Sequence, residues 1–149
     1  MRRGYRIPQS FAFRLNRRQV KEMLYEGILL DGRRGGLVLG PSHEQGNIFL
    51  LYEKRLGEYE ILGTMEGGEY LLSHEAYRKF KDRIDEINSW EYPTAFPGKI
   101  GISEKTLVIN AFGKSSEKAI LIDRRGQFIV NKFAVGRYLA EIEALNYQA

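Results

Sequence analysis

The sequence predicts an α+β fold in a single domain, residues 1–149, and three observations support this prediction. A chain of 149 residues with 43% apolar side chains can bury a substantial core, but it is short for two domains. Two segments with the periodicity of a helix that buries one face each follow a short apolar strand. These two strand-to-helix segments repeat nearly the same pattern 58 positions apart, which indicates an internal duplication.

The duplicated segments are EGGEYLLSHEAY at 66–77 and RRGQFIVNKFAV at 124–135. Gly68 corresponds to Gly126 in the turn, and Ser73 corresponds to Asn131, both residue types that cap helix N-termini. Five more pairs match along the helices: Ala76 and Ala134, Phe80 and Tyr138, Ile84 and Ile142, Ile87 and Leu145, Asn88 and Asn146. Because turn, cap and buried-face spacing repeat together, we predict two tandem pseudo-symmetric βββα units that pack on each other about a pseudo-twofold axis.

The first predicted unit covers residues 37–90 and the second covers residues 105–149. In the first unit the strands IFLLYE, EYEILGTM and EYLL precede a helix that begins after Ser73 and ends near Asn88. In the second unit TLVINAF, AILID and QFIV precede a helix from Lys132 to about Asn146. The intervening segment 91–104 contains two prolines and two glycines, so it reads as a connector.

Residues 1–36 are predicted to form a basic arm, a strand, a short helix and a β-hairpin. The strand lies in YRIPQSFAFRL, and the helix runs from Arg17 to about Tyr25, after a capping box formed by Asn16 and Gln19. In GILLDGRRGGLVLG two apolar triplets flank a glycine-rich turn, a pattern typical of a hairpin.

The net charge of +4 is unevenly distributed along the chain. Residues 1–36 hold nine Lys or Arg against three acids, whereas residues 37–149 hold fourteen against sixteen. This asymmetry predicts an N-terminal arm that touches an acidic partner, which is a nucleic acid, a phosphate surface or another subunit; the alternative is a solvated basic segment without a partner. The candidate binding residues are Arg2, Arg3, Tyr5, Arg6, Arg14, Arg17, Arg18 and Lys21.

Composition and motifs exclude several kinds of site. The chain has no cysteine, which rules out disulfides and cysteine-based metal centres. No apolar run approaches the ~20 residues that span a bilayer, and the first residues lack the apolar core of a secretion signal. The two histidines follow no metal-binding spacing, and the paired glycines match no phosphate-loop motif. We therefore expect no cofactor, no metal and no membrane partner, and a cytoplasmic location.

His43 and Glu69 are the residues from which a catalytic alternative can be built. His43 lies in the glycine-flanked loop GPSHEQGNI. An imidazole beside a carboxylate, here that of Glu69 or Glu44, can act as a general acid or base near neutral pH. No nucleophile motif accompanies the pair, so a structural loop histidine is the competing interpretation. His74, at the first position of a predicted helix, is interpreted as a surface residue.

Two segments, GGLVLGPSHEQGNI (35–48) and GTMEGGEYLLSHEAYRKFKDRIDEIN (63–88), carry a resemblance to a known group of proteins. They resemble a segment of large phage virion proteins, notably tail tape-measure and related structural proteins of phages of gut Bacteroidetes. There a GPSHxxGGI stretch precedes an EGGE strand-to-helix corner. This chain departs from the pattern at Asn47 and Ser73, which replace a glycine and an asparagine. The resemblance implies a phage or mobile-element origin, a role in building or filling a particle, and a location in the cytoplasm of the host cell or in the virion. It implies no catalysis.

The leading hypothesis is a non-enzymatic phage structural or virion-associated protein that acts by contact through its basic arm. Its partner would be itself, another virion protein or packaged DNA, because exposed strand edges and an N-terminal arm can pair with a neighbour. One alternative is a hydrolase or self-processing enzyme that uses His43 and Glu69. The other is a nucleic-acid-binding protein without sequence preference, or a small inhibitor of a host protein.

Overall fold

The structure is a computed structural model that describes residues 15–16, 18, 21, 29–40, 48–56, 58–94, 106–108 and 118–148. Its strands are β1 (Leu15–Asn16), β2 (Leu29–Asp31), β3 (Gly36–Leu39), β4 (Ile48–Arg55), β5 (Glu58–Met65), β6 (Tyr70–Leu72), β7 (Leu107–Val108), β8 (Lys118–Ile122) and β9 (Phe128–Val130). The helices are α1 (His74–Asn88) and α2 (Lys132–Gln148). The predicted α+β class is confirmed.

The described elements form three layers. A five-stranded sheet has the order β1-β5-β4-β8-β2, a four-stranded sheet has the order β7-β3-β6-β9, and the two helices cover the second sheet. The apolar cluster between the sheets consists of Val38, Ile48, Leu50, Met65, Leu71, Leu107, Ile120 and Ile122. The cluster between the second sheet and the helices includes Leu37, Tyr70, Leu72, Val130, Ala76, Ile84, Ala134 and Ile142. The four-stranded sheet is therefore the central layer.

Four strands of the five-stranded sheet run in the same direction. Strand β8 pairs in parallel with β4 on one side and with β2 on the other. Strand β5 is antiparallel to β4, and β1 is antiparallel to β5. The carboxyl ends of β1, β4, β8 and β2 consequently meet at one edge of the sheet, which we call the carboxyl edge.

The predicted hairpin between β2 and β3 is wrong. Strand β2 pairs with β8 in the five-stranded sheet, whereas β3 pairs with β6 and β7 in the other sheet. The physical reason is the burial of β3 on both faces: Leu37 packs toward the helices and Val38 packs toward the other sheet. A strand with two buried faces needs a central position, and the turn glycines Gly35 and Gly36, with positive φ of 76° and 149°, carry the chain across.

The two strand-to-helix corners are related by an approximate twofold axis. Strands β6 and β9 pair antiparallel with Leu71 opposite Ile129, which are equivalent positions of the two segments. The turn glycines Gly68 and Gly126 have φ of 97° and 98°. Both helices bend at one residue with non-helical dihedral angles, Phe80 (φ −120°) in α1 and Tyr138 (φ −118°) in α2.

Each helix ends against the beginning of the other helix. The Asn146 Oδ1 atom at the end of α2 accepts a hydrogen bond from the Ser73 backbone N–H, 3.0 Å away, just before α1. The Asn88 Oδ1 atom at the end of α1 accepts one from the Asn131 N–H, 2.9 Å away, just before α2. These reciprocal contacts explain why the two asparagines match in the sequence.

The strands that precede the corners are paired differently in the two predicted units. Strands β4 and β5 form a hairpin, but β7 and β8 belong to different sheets. The place beside β8 that a hairpin partner would take is occupied by β4. The twofold relation is thus observed at the corners, and the element order alone repeats before them.

Parts of the N-terminal prediction fall on residues that the structure describes. Strand β1 pairs with the start of β5, in agreement with a strand at the end of YRIPQSFAFRL. Arg18 and Lys21 are helical and exposed. The rest of the predicted helix, the arm at residues 1–14 and most of the connector lie outside the described residues.

Candidate functional site

Pairs of adjacent basic residues lie at the carboxyl edge. The pair Lys54-Arg55 ends β4, and the pairs Arg124-Arg125 and Arg33-Arg34 lie two and three residues after the ends of β8 and β2. Arg18 follows β1 by two residues, so it lies next to the same edge. The strand order places these groups along the sheet from β1 to β2.

Asp31, at the end of β2, binds Arg33 of the Arg33-Arg34 pair. The Asp31 carboxylate accepts hydrogen bonds from the Arg33 backbone N–H at 3.1 Å, from Arg33 Nε at 2.9 Å and from a terminal Arg33 nitrogen at 2.7 Å. This side-chain bonding to Arg33 lowers the pKa of Asp31 and raises that of Arg33. Arg33 is thereby held as a fixed cation in a bidentate pair.

The turn after β8 repeats this arrangement. The Asp123 carboxylate accepts from the Arg125 backbone N–H at 2.9 Å and from the guanidinium at distances down to 2.6 Å. The same guanidinium donates to Glu75 Oε1 at 2.6 Å, at the start of α1. Hydrogen bonds from Arg125 lower the pKa of Asp123, whose side chain is 14% exposed.

Each of the three dipeptides at the carboxyl edge contains one basic side chain in an ion pair and, among the described residues, one without an ion pair. Arg33 is bound by Asp31, Arg125 is bound by Asp123 and Glu75, and Lys54 contacts Glu60 at 3.2 Å. Their neighbours Arg34, Arg124 and Arg55 are exposed and form no ion pair within the described part of the chain. The carboxyl edge therefore presents three arginines whose guanidinium donors are available to a partner.

A cavity of about 230 Å³ opens at the same edge. It is lined by Arg33, Glu53, Tyr59, Leu121, Ile122, Asp123 and Arg124, which come from the ends of β8 and β4, the start of β5 and the turn after β2. In parallel sheets the carboxyl ends of the strands are a common position for ligands. The mixture of cations with Glu53 and Asp123 makes this cavity polar, and its arginines are the groups that can bind an anion.

The catalytic alternative is only partly within the described residues. His43 lies outside them, so its distance from Glu69 stays untested. Glu69 is described: its Oε1 accepts a hydrogen bond of 2.7 Å from the Glu66 backbone N–H within the turn before β6. Gln127, at the equivalent position of the other corner, accepts from the Asp123 N–H. Glu69 thus has a structural contact within its turn, and Gln127 makes a similar contact with the residue four positions before it.

Of the predicted arm residues, only Arg18 and Lys21 belong to the described part, and both are exposed. The sequence reasoning missed the arginines of the carboxyl edge. The available signal was the number of adjacent basic pairs, at 2–3, 17–18, 33–34, 54–55, 78–79 and 124–125. Their convergence could not be predicted without the parallel pairing of β2, β8 and β4.

Within the described residues, no group of three His, Asp or Glu side chains is placed to hold a metal ion. Neither α1 nor α2 is long and apolar enough to span a membrane. Comparison of the chain with protein-family models, with curated proteins and with solved structures gives no match.

Proposed function

We propose that this protein is a non-enzymatic binding protein that holds the sugar-phosphate backbone of a nucleic acid along the carboxyl edge. The observation that carries the proposal is the position of Arg55 at the end of β4, and of Arg124 and Arg34 two and three residues after the ends of β8 and β2, which run parallel to β4. All three are exposed and form no ion pair within the described residues. Guanidinium groups bind phosphate oxygens in a bidentate manner.

The dimensions of the edge suit several consecutive phosphates. Four strand-to-strand steps separate β1 from β2, which corresponds to about 19 Å at ~4.8 Å for each step. A nucleic-acid strand carries a phosphate about every 3.4 Å along a duplex axis, so the edge faces about five or six phosphates. The predicted arm joins the edge through β1, and Arg18 extends the basic surface toward it.

Binding at this edge would be independent of base sequence. Tyr59, the aromatic residue that lines the edge cavity, is only 9% exposed and offers no open ring face for stacking on a base. Contacts from arginine to phosphate position a protein on a nucleic acid and carry no sequence information. We therefore expect affinity for DNA or RNA of any sequence, with strong dependence on salt.

The test is the affinity for a labelled oligonucleotide as a function of salt concentration. The triple variant Arg34→Gln, Arg55→Gln and Arg124→Gln removes the three unpaired cations and leaves the three carboxylate-bound cations in place. If each arginine contacts one phosphate, the negative slope of log K against log salt becomes less steep by about 2 to 3 in the triple variant. Single-stranded and duplex probes are measured side by side.

A matched control has the same change in net charge on the helix layer: Lys79→Gln, Lys132→Gln and Arg137→Gln. All three control residues are exposed and lie on α1 or α2. The proposal predicts that the control keeps the salt slope of the parent chain. Equal losses in both variants would mean that only net charge matters, and the absence of oligonucleotide binding by the parent chain would overturn the proposal.

The setting in a phage particle rests on the sequence resemblance and stays a prediction. Packaged DNA would be the abundant polyanion there, so a structural role and backbone binding are compatible. If a virion protein rather than a nucleic acid is the partner, the parent chain will bind that protein and fail to bind the oligonucleotide at low salt.

A further inference from the structure

A second cavity, which we call the α1 cleft, lies between the first turns of α1 and the turn before β9. It has a volume of about 400 Å³ and is lined by His74, Tyr77, Arg78, Lys81, Arg125, Gly126 and Gln127. This volume is within the usual range of small-molecule sites. Three permanent cations and one imidazole therefore line a cavity large enough for a small organic anion.

His74 is oriented by a backbone contact. Its Nδ1 atom lies 3.0 Å from the Gly126 carbonyl oxygen, and because a carbonyl accepts, Nδ1 carries the proton and donates. The other ring nitrogen, Nε2, is then the atom available to a ligand. The imidazole is thus fixed at the wall of the α1 cleft.

Two of the cations are held by carboxylates but keep donors. Lys81 contacts Asp85 at 2.8 Å through a single oxygen, so an ammonium with three N–H groups retains free ones. Arg125 donates from Nε and one terminal nitrogen to Asp123 and Glu75. Its other terminal nitrogen is available to donate to a ligand.

Arg78 is the cation that changes the charge balance of the cleft. Asp85, Asp123 and Glu75 are the carboxylates beside Lys81 and Arg125, and they oppose the entry of an anion. Arg78 is exposed and forms no ion pair with a residue of the described segments. Arg78 therefore adds a third positive charge, which balances the three carboxylates, and its own guanidinium donors are not taken up by an ion pair within the described residues.

The twofold-related position shows that the fold does not require these basic residues. There Lys132 replaces His74, Gly136 replaces Arg78, Leu139 replaces Lys81 and Gly67 replaces Arg125. The turn glycine and the helix bend are nevertheless kept in both corners. The cations of the α1 cleft are consequently an addition to one corner of a shared architecture.

We propose that the α1 cleft binds a phosphomonoester, either the terminal phosphate of a nucleic acid or that of a free mononucleotide. A phosphomonoester carries a charge of about −1.5 to −2 at pH 7 and three acceptor oxygens, which match donors that arrive from Arg78, Lys81 and Arg125. A phosphodiester has one charge and fewer terminal oxygens. The cleft thus favours a chain end or a free nucleotide over the interior of a strand.

The experiment compares four probes by calorimetry and by competition: inorganic phosphate, adenosine 5′-monophosphate, and one oligonucleotide with and without a 5′-phosphate. Arg78→Gln is measured beside Lys79→Gln, its neighbour on α1, which has the same charge change but does not line the cleft. Loss of a charge-assisted contact is expected to weaken phosphomonoester binding about tenfold or more in Arg78→Gln. Lys79→Gln is expected to bind like the parent chain.

The outcomes distinguish a nucleic-acid chain end from a free mononucleotide as the source of the phosphate. They also test the α1 cleft independently of the carboxyl edge. Tighter binding of the phosphorylated oligonucleotide identifies a chain end, whereas equal binding of the free mononucleotide identifies a small ligand. The Arg34, Arg55 and Arg124 triple variant should keep phosphomonoester binding. The proposal for the α1 cleft can therefore hold even if the proposal for the carboxyl edge is wrong. The cleft proposal is overturned if phosphorylated probes bind no better than unphosphorylated ones, or if both single variants lose binding equally.

Discussion

Gly68 and Gly126 occupy equivalent turns, and both have a φ that side chains with a Cβ rarely adopt. At Gly126 a Cβ would meet no atom within 4 Å, so the space around it is open. The residue is therefore required for its backbone conformation alone. Gly35 differs, because a Cβ there would lie 2.5 Å from the Leu71 carbonyl oxygen as well.

The first prediction concerns the free-energy cost of the positive φ at Gly126 for a residue with a Cβ. Gly126→Ala is expected to lower the free energy of unfolding by about 1–3 kcal/mol, the cost of an unfavourable backbone conformation. Gly63→Ala is the control, since a Cβ at Gly63 also meets nothing within 4 Å and its φ is not positive. Urea denaturation of both variants measures the difference. Equal effects at the two sites would show that the positive φ does not matter.

The second prediction concerns acid stability. The pKa of Asp31 and that of Asp123 are lowered mainly by hydrogen bonds from Arg33 and Arg125. A carboxyl group whose pKa is lowered in the folded state stabilises the fold above its unfolded pKa of about 3.9. That stabilisation is lost as pH falls through the lower, folded pKa. We expect the urea midpoint to drop below about pH 4.

The double variant Asp31→Asn and Asp123→Asn tests this assignment. It should be less stable than the parent chain at neutral pH and should lose less stability on acidification. A residual fall is expected from Glu75 and Glu141, whose pKa values are also lowered. If the variant follows the pH profile of the parent chain without a change in slope, the two aspartates are not the source.

At the scale of elements, the two helices are joined end to start by asparagines. Asn146 is 1% exposed and contacts Ser73, the Arg34 carbonyl oxygen and the Tyr70 hydroxyl. Asn88 is only half-buried, and its carbonyl oxygens contact Asn131. The same topological role is therefore filled in two environments that differ in access to water.

The third prediction follows from this difference in burial. Asn146→Ala leaves buried polar groups without partners at about 1–3 kcal/mol each, so we expect a loss of about 2–5 kcal/mol in the free energy of unfolding. Asn88→Ala should cost about 1 kcal/mol, because water can replace the lost contact. Chemical denaturation of both variants gives the comparison. Equal losses would contradict the role of burial.

The fourth prediction uses a charge pair across the twofold axis. Arg83 and Glu141 are equivalent positions of α1 and α2, and their side chains form two contacts of 2.5 and 2.6 Å. Arg83→Glu alone and Glu141→Arg alone should each lower the melting temperature. The double variant restores this pair with the charges exchanged and should recover part of the loss, because the contact of Arg83 with Glu86 at 2.6 Å is not restored. Additive losses in the double variant would mean that the two positions do not face each other.

The two strand-to-helix corners could be predicted from the sequence, but the pairing of the strands in the sheets could not. Caps, turn glycines and helix faces are local, so Ser73, Gly68 and the face of α1 could be placed from their neighbours in the chain. The pairing partner of β2 is β8, which is distant in the sequence. Glycines at positions 35 and 36 are compatible with a hairpin turn and equally with a connection between two sheets. The site depends on this pairing, because Arg55, Arg124 and Arg34 follow strands whose carboxyl ends share one edge only if β4, β8 and β2 are parallel.

At the scale of the whole molecule, the two sheets are joined by the chain itself. The chain crosses from the five-stranded to the four-stranded sheet after β2, after β5 and after β8. Each crossing leads to a strand of the central layer, which is buried against the first sheet on one face and against the helices on the other. Neither the five-stranded sheet nor the pair of helices can separate from the central sheet without exposing one of these apolar clusters.

The last prediction is that the layers unfold as one cooperative unit. In native-state hydrogen exchange, the backbone amides of Leu51 in β4, Leu71 in β6 and Ile84 in α1 should open with the same free energy and the same dependence on denaturant, equal to those of global unfolding. Leu56, whose side chain is 81% exposed in the turn after β4, serves as the control and should exchange by local opening. If Leu51 opens at a markedly lower free energy than Leu71, the five-stranded sheet separates from the central layer, and the three crossings do not couple the two sheets.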